Sequence, residues 1–324
     1  MNQNNLKYLI ALFIFIATFS YFNNIASANP IHGNKLSFYT SEREVNLKLT
    51  YKISITGHVN IMDLKMVVPD NIKDRQTVKS ISFSIQPDST YKMNNNTYVL
   101  FKFHDLDKSF KIVIKSKITI YRSITEAKET VAEDLSEYLI AEKDIESDNK
   151  KILDVAATLK QKTDIETVIK TFDYVTNTIK YEANQAIGAE KVLETKVGKC
   201  MDYSDLFVAL LRANRIPAKS VFGIVVDYDG DNPLHAWPEA YLKKQGWIRF
   251  DPTTGHSDIT QTGKDYKMKI SNKYIILSEG RNDPELNTNQ YQCKYRCTLG
   301  SKMDIGLSFD IAAQDNESNT GGID

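Results

Sequence analysis

From Val45 to Ile55 every second residue is apolar: Val45, Leu47, Leu49, Tyr51, Ile53 and Ile55, with Asn46, Lys48, Thr50, Lys52 and Ser54 between them. A period of two dries one face of a strand and would scatter the same groups around a helix, so this stretch predicts a half-buried strand. The pattern recurs in Met62, Leu64, Met66 and Val68 ahead of Pro69, in Ile81, Phe83 and Ile85, across Tyr98 to Phe103, and in Ile112, Ile114, Ile118 and Ile120. Short alternating strands between polar turns predict an antiparallel β-sandwich over residues 31–122. That region carries no evident chemistry, and packing or substrate positioning is its expected role.

The period then changes. Residues 123–150 are charged and helix-prone, and are expected to form a helical linker. Ile152, Val155, Ala156 and Leu159 make one amphipathic stripe. Ile165, Val168, Ile169, Phe172, Val175 and Ile179 make another, with Thr163 or Asp164 as its cap. A third helix is marked by Leu206, Phe207, Leu210 and Leu211, with Pro217 just beyond its end. From Ser220 to Tyr228 the chain is β-branched and aromatic, and a strand is expected. Turns at 229–233 and 243–246 then separate two further strands. Helices followed by an antiparallel sheet give an α+β, papain-like region over residues 151–311. The polar, glycine-bearing tail, residues 312–324, is expected to be disordered.

The reactive residue types fall in this second region. Cys200 opens the third helix behind Gly198, which permits a tight turn. A helix N-terminus favours a thiolate and offers N–H groups to an oxyanion. His235 shares a strand face with Trp237 and Glu239, and Asp251 ends the following strand at the same end of the hairpin. A lone cysteine is often a small buried hydrophobe, and a lone strand histidine is more often structural. Thiol, imidazole and carboxylate together are the parts of an activated-cysteine acyl-transfer site.

These blocks resemble the transglutaminase-like superfamily of thiol enzymes over roughly residues 150–255. The resemblance rests on Gly198, Cys200, Asp202 and Tyr203, on the helix closing at Ile216-Pro217-Ala218, on His235, Trp237, Glu239 and Tyr241, and on Gly246-Trp247 with Phe250-Asp251-Pro252-Thr253. It implies Cys200 as nucleophile, His235 as base and Asp251 as orienting acid, acting on a protein or peptide amide through a thioester. An N-terminal β domain also resembles what bacterial members carry. Ser204 stands where the family often has Ala, and Met201 is larger than the residue often found after the thiol. The family contains cross-linkers, deamidases, peptidases and catalytically silent binding modules, and the sequence does not choose the acceptor.

Trp237 and Trp247 are candidate substrate-binding walls, although large aromatics are more often core. Asn184 and Gln185 are candidate oxyanion donors. No metal-ligand spacing, phosphate loop or EF-hand pattern occurs, so no metal or cofactor is expected. Lys plus Arg and Asp plus Glu number 41 each, and this balance gives no argument for nucleic-acid or membrane partners. Residues 1–28, with Lys7, an apolar run from Tyr8 to Phe22 and Ala26-Ser27-Ala28, have the form of a cleaved secretory signal. An exported, periplasmic or extracellular chain, with no membrane span after cleavage, is therefore expected. In such a compartment Cys293 and Cys297 are expected to form a disulfide, with a zinc pair as the competing reading. Four residues of strand span about 13 Å whereas bonded Cα atoms lie within about 7 Å, so this pairing requires the segment to turn.

Overall fold

The computed structural model describes residues 37–125, 134–182, 187–230, 232–262, 265–286, 293–298 and 302–316. The expected signal segment and the oxyanion candidates Asn184 and Gln185 lie outside the described residues. From Ser37 the chain forms one unit. The alternating segments become β1 (Ser37–Thr56), β2 (Val59–Val68), β3 (Gln76–Phe83), β4 (Ser89–Met93), β5 (Asn96–Leu106) and β6 (Phe110–Thr125). A 3-10 turn at Ser136–Leu139 precedes α1 (Lys150–Leu159), α2 (Asp164–Thr178), β7 (Lys180–Tyr181), α3 (Ala189–Thr195), β8 (Val197–Gly198) and α4 (Cys200–Ala213). There follow β9 (Ala218–Val225), β10 (Leu234–Leu242), β11 (Gly246–Asp251), β12 (His256–Ser257), β13 (Ile259–Thr262), β14 (Asp265–Lys269), β15 (Tyr274–Glu279), β16 (Cys293–Cys297) and β17 (Lys302–Asn316).

The architecture is α+β, as expected. One sheet runs β13-β14-β6-β1-β17 with β3 also on β6, and a second runs β16-β2-β5-β4. Val45, Leu47, Leu49, Tyr51 and Ile53 of β1 share a dry core with Met62, Leu64 and Met66 of β2, Phe101 of β5 and Ile112 and Ile114 of β6. Each such side chain contributes roughly 1.5–3 kcal/mol when fully buried. The third sheet, β12-β11-β10-β9-β15, meets the helices. Ala240, Leu242, Ile248 and Phe250 share a core with Leu206, Phe207, Leu210 and Leu211 of α4.

Three expected boundaries are corrected. The stretch 123–150 is not a helical linker: β6 continues to Thr125, and the described remainder before α1 is turns and the single 3-10 turn. Residues 259–311 do not all stay with the helical region: β15 pairs with β9, but β14 pairs with β6, β16 with β2 and β17 with β1. The tail is not disordered from 312, since β17 runs to Asn316 and aligns Val45 with Ala313 and Leu47 with Ile311. Its alternating Ile305, Leu307, Phe309 and Ile311 cover apolar surface that β1 would otherwise leave open.

The sandwich docks on the third sheet through side-chain amides. β15 is an edge strand, and an edge strand's unpaired N–H and C=O groups need partners. Gln76 supplies them at Ile276, donating to its carbonyl at 2.9 Å and accepting its N–H at 2.8 Å. Asn96 does the same at Glu279, at 2.9 and 2.8 Å. Among the described residues no helix is long and apolar enough to cross a membrane.

Candidate active site

Local chemistry sets the start of α4. Asp202, three residues into the helix, accepts the Lys199 N–H at 3.0 Å and so ties down the chain ahead of the thiol. Gly198 is needed for close approach: a Cβ there would lie 2.7 Å from the Asp202 Cβ. Tyr203 fixes the helix laterally by donating to the Ile179 carbonyl at 2.6 Å. Ser204, wholly buried, donates to the Cys200 carbonyl at 2.9 Å, which gives its hydroxyl a partner inside the core. Cys200 is therefore the first residue of a rigidly held helix, and it is half-buried.

The third sheet brings the other groups to the same place. The end of β9, the starts of β10 and β15 and the end of β11 all lie at one end of the sheet, as the antiparallel register requires. His235, second residue of β10, hydrogen bonds Cys200 and places Nε2 2.8 Å from Asp251 Oδ2. With Nε2 engaged by Asp251, Nδ1 is the nitrogen left for the thiol. His235 stands opposite Gly223, where a Cβ would sit 1.9 Å from the Ile275 carbonyl and 2.8 Å from the Trp237 ring. Only glycine lets β15 close on β9 at that point.

The electrostatics follow from burial and partners. Burial alone would lower the His235 pKa, but its hydrogen bonds to Asp251 and Cys200 and their charges raise it to about 10. Asp251 has no exposed surface, and burial pushes its pKa up. Its bonds to His235, the Thr254 N–H at 3.3 Å and the Tyr274 hydroxyl at 3.0 Å prevail and hold it below the ordinary value. An imidazolium between a thiol and an ionised acid is the resting arrangement of a thiolate nucleophile. Sequence reasoning missed Tyr274, whose strand has no local motif linking it to Asp251.

Under α4 lies a second group of carboxylates. Arg281 donates from Nε to both oxygens of Asp205 at 3.1 Å, and its Nη2 lies 3.1 Å from Asp144. Asp144, Asp202 and Asp205 are all buried with this one arginine. Burial raises the Asp202 pKa to about 6 and pushes Asp205 well above its ordinary range, the Arg281 charge opposing in both cases.

Three expected roles are corrected. Trp237 is wholly buried, in contact with Tyr274 at a ring separation of 5.0 Å, and forms the floor behind the site rather than a cleft wall. Trp247 pairs with Tyr241 at the opposite end of the hairpin from His235, with the Lys219 ammonium 4.4 Å over its ring. Glu239 also serves that far end, 3.8 Å from Arg75 and 3.9 Å from Lys219. The residues that flank Cys200 instead include Tyr181, which pairs with Gly198 and feels the charges of Cys200 and Tyr228. Tyr181 and Tyr228 are more than half exposed, at 55% and 53%. Finally, Cys293 and Cys297 lie on one extended strand opposite Met66 and Met62, and both are free thiols. The expected disulfide is excluded there, because an extended strand cannot bring residues four apart within bonding distance.

Comparison with known proteins agrees with this geometry. Residues 153–252 match the family model of the transglutaminase-like superfamily. A crystal structure from Cytophaga hutchinsonii, described as a candidate cysteine protease, superposes with a TM-score of 0.65 over 89% of this chain and 96% of that one, at 17% identity. The uncharacterized protein YebA of Bacillus subtilis (strain 168) is 33% identical over 111 residues, 30% of this chain and 15% of YebA. The chain thus spans a small fraction of that relative's length. Residues 153–252 thus form a transglutaminase-like core.

Proposed function

We propose that this protein is an exported cysteine enzyme that forms a thioester from a protein or peptide amide and passes the acyl group to an amine or to water. The observation that carries the reading is a thiol on the first residue of α4, bonded to an imidazole whose other nitrogen is 2.8 Å from a buried carboxylate. In the first half-reaction the Cys200 thiolate attacks the carbonyl carbon, and the first-turn N–H groups of α4 favour the negative charge formed on oxygen. The His235 imidazolium then protonates the departing nitrogen as the C–N bond breaks and the thioester remains. In the second, His235 takes a proton from the incoming amine or water, which attacks the thioester and releases Cys200 as thiolate. Asp251 loses no atom in either step and holds the imidazole in orientation. Water as acceptor makes the protein a deamidase or peptidase, and an amine makes it a cross-linker.

Residues 1–28 support export, and intact-mass analysis of native protein should show a chain starting near Asn29. Iodoacetamide should alkylate Cys200 in the folded protein at mildly acidic pH, where the imidazolium is fully formed. A requirement for alkaline pH or for unfolding would overturn the activated-thiol reading and favour a silent binding module.

A further inference from the structure

At the triad end of the third sheet lies a cavity of about 570 Å³, within the range of ligand sites. Its wall begins four residues after Asp251, at Gly255, His256 and Ser257, and His256 pairs in register with Asp251 itself. The His256 ring stacks on Tyr274, whose hydroxyl binds Asp251. Lys269, Ser271 and Lys273 close the wall from the segment leading into β15, and the Lys273 carbonyl accepts the Val226 N–H two residues before Tyr228. Arg122, on β6 of the sandwich, completes it. It reaches this end because β14 pairs Lys269 with Ile124.

The lining has one sign of charge. Its charged members are Arg122, Lys269 and Lys273, with no carboxylate, in a chain whose acidic and basic residues balance at 41 each. The nearby acids have other cations as partners, although Asp258 also reaches the lining, its Oδ1 3.5 Å from His256 Nε2. Asp258, wholly buried, accepts from Arg75 at 3.0 Å and from the Ser271 N–H at 3.0 Å. Asp227, whose charge interacts with Lys273, is held by Arg43 at 2.7 Å. Among the described residues no ion pair engages Arg122, Lys269 or Lys273. Clustered cations with low-dielectric walls raise the local concentration of an anionic ligand.

We infer that this basic cavity receives carboxylate side chains flanking the target amide, so that the enzyme prefers acidic segments of its protein or peptide substrates. The inference rests on the thioester reading above but is tested by binding, which needs no turnover. The full chain carrying Cys200→Ala would be titrated by fluorescence anisotropy with three labelled glutamine octapeptides, matched except that the flanking residues are Glu, Gln or Lys. The acidic peptide should bind about tenfold more tightly than the neutral one, equal to about 1.4 kcal/mol, with the preference shrinking as salt rises. Arg122→Gln, Lys269→Gln and Lys273→Gln combined should erase the preference and leave neutral-peptide affinity unchanged. Lys269→Glu with Lys273→Glu, both at exposed positions, should turn the preference toward the basic peptide. Equal affinities for all three peptides, a preference that survives the triple substitution, or inorganic phosphate binding there without any peptide preference would each overturn the inference. Failure of Cys200 to label would overturn the enzymatic reading separately.

Discussion

Two fully buried carboxylates, Asp251 beside His235 and Asp205 on α4, have their pKa values moved in opposite directions. Asp251 is kept below its ordinary pKa, and Asp205 is pushed well above its own. Burial acts on both in the same direction, so the difference lies in the partners. Asp251 has three donors converging on it and no acid competing for them. Asp205 shares one guanidinium with Asp144, while Asp202 adds a second like charge nearby. Beside His235 the balance thus favours a carboxylate that keeps its negative charge. The group of acids on the other side of α4 outnumbers its one arginine, which disfavours full ionisation of Asp202 and Asp205.

The largest effects should fall on the triad side. Cys200→Ala should abolish thioester formation with peptide amides, because it removes the sulfur that the thioester needs. Asp251→Asn should fold, with a melting temperature close to the parent's, yet lose roughly 10³–10⁴ in kcat/KM; the upper figure is that of the analogous change in a serine protease. An Asp251→Asn enzyme of normal activity would mean that the acid has been misassigned. For the group of acids around Arg281, the measurement is stability instead. Arg281→Met leaves the buried acids without their cation and should cost about 3–5 kcal/mol in denaturant unfolding, whereas losing one of three acids should cost far less.

Asp205→Asn sharpens the comparison through pH. Burial raises the Asp205 pKa above its ordinary value of 3.8, so the folded chain binds this proton more tightly than the unfolded chain does. Stability from this group is therefore present at low pH and lost as pH rises above that value, the reverse of a carboxylate held ionised. Asp205→Asn should flatten that decline in unfolding free energy measured from acid to neutral pH, with activity little changed. A decline that persists unaltered would show that Asp205 is ionised in the folded chain and that Arg281 outweighs its burial.

Much of this was legible in the sequence, and the parts that were not share a cause. The period-two runs in β1, β2 and β6 gave the sandwich, and the Thr163 cap of α2 is present as a capping box with Glu166. Cys200, His235 and Asp251 were legible because each sits at the end of an element that its neighbours define. β17 has the same alternation as β1, but nothing local says that a strand near the chain's end pairs with the first one. Trp237 and Trp247 lie near His235 and Asp251 in sequence, yet Trp237, on the same strand face as His235, is covered by the core, and hairpin polarity carries Trp247 to the far end. Tyr274 and Arg281 act only across the tertiary fold, so no spacing in the chain could have marked them.

The smallest effect should come from Tyr274→Phe, and it tests whether the third donor on Asp251 matters for chemistry. The ring would still pack on Trp237, 5.0 Å away, and under the Arg249 guanidinium at 4.3 Å, so the core should stay intact. What disappears is one hydrogen bond to a charged acceptor, about 1.5–3 kcal/mol, and part of that is recovered because His235 and Thr254 still hold the carboxylate. A five- to tenfold fall in kcat/KM, about 1–1.4 kcal/mol, is therefore expected. The pH profile separates chemistry from packing. Tyr274 is one of the groups that hold the Asp251 pKa down, so without its hydroxyl that pKa rises and the acid limb of kcat/KM should move to higher pH. A fall in activity with an unmoved acid limb would reduce Tyr274 to a packing residue and leave His235 and Thr254 as the partners that set the charge on Asp251.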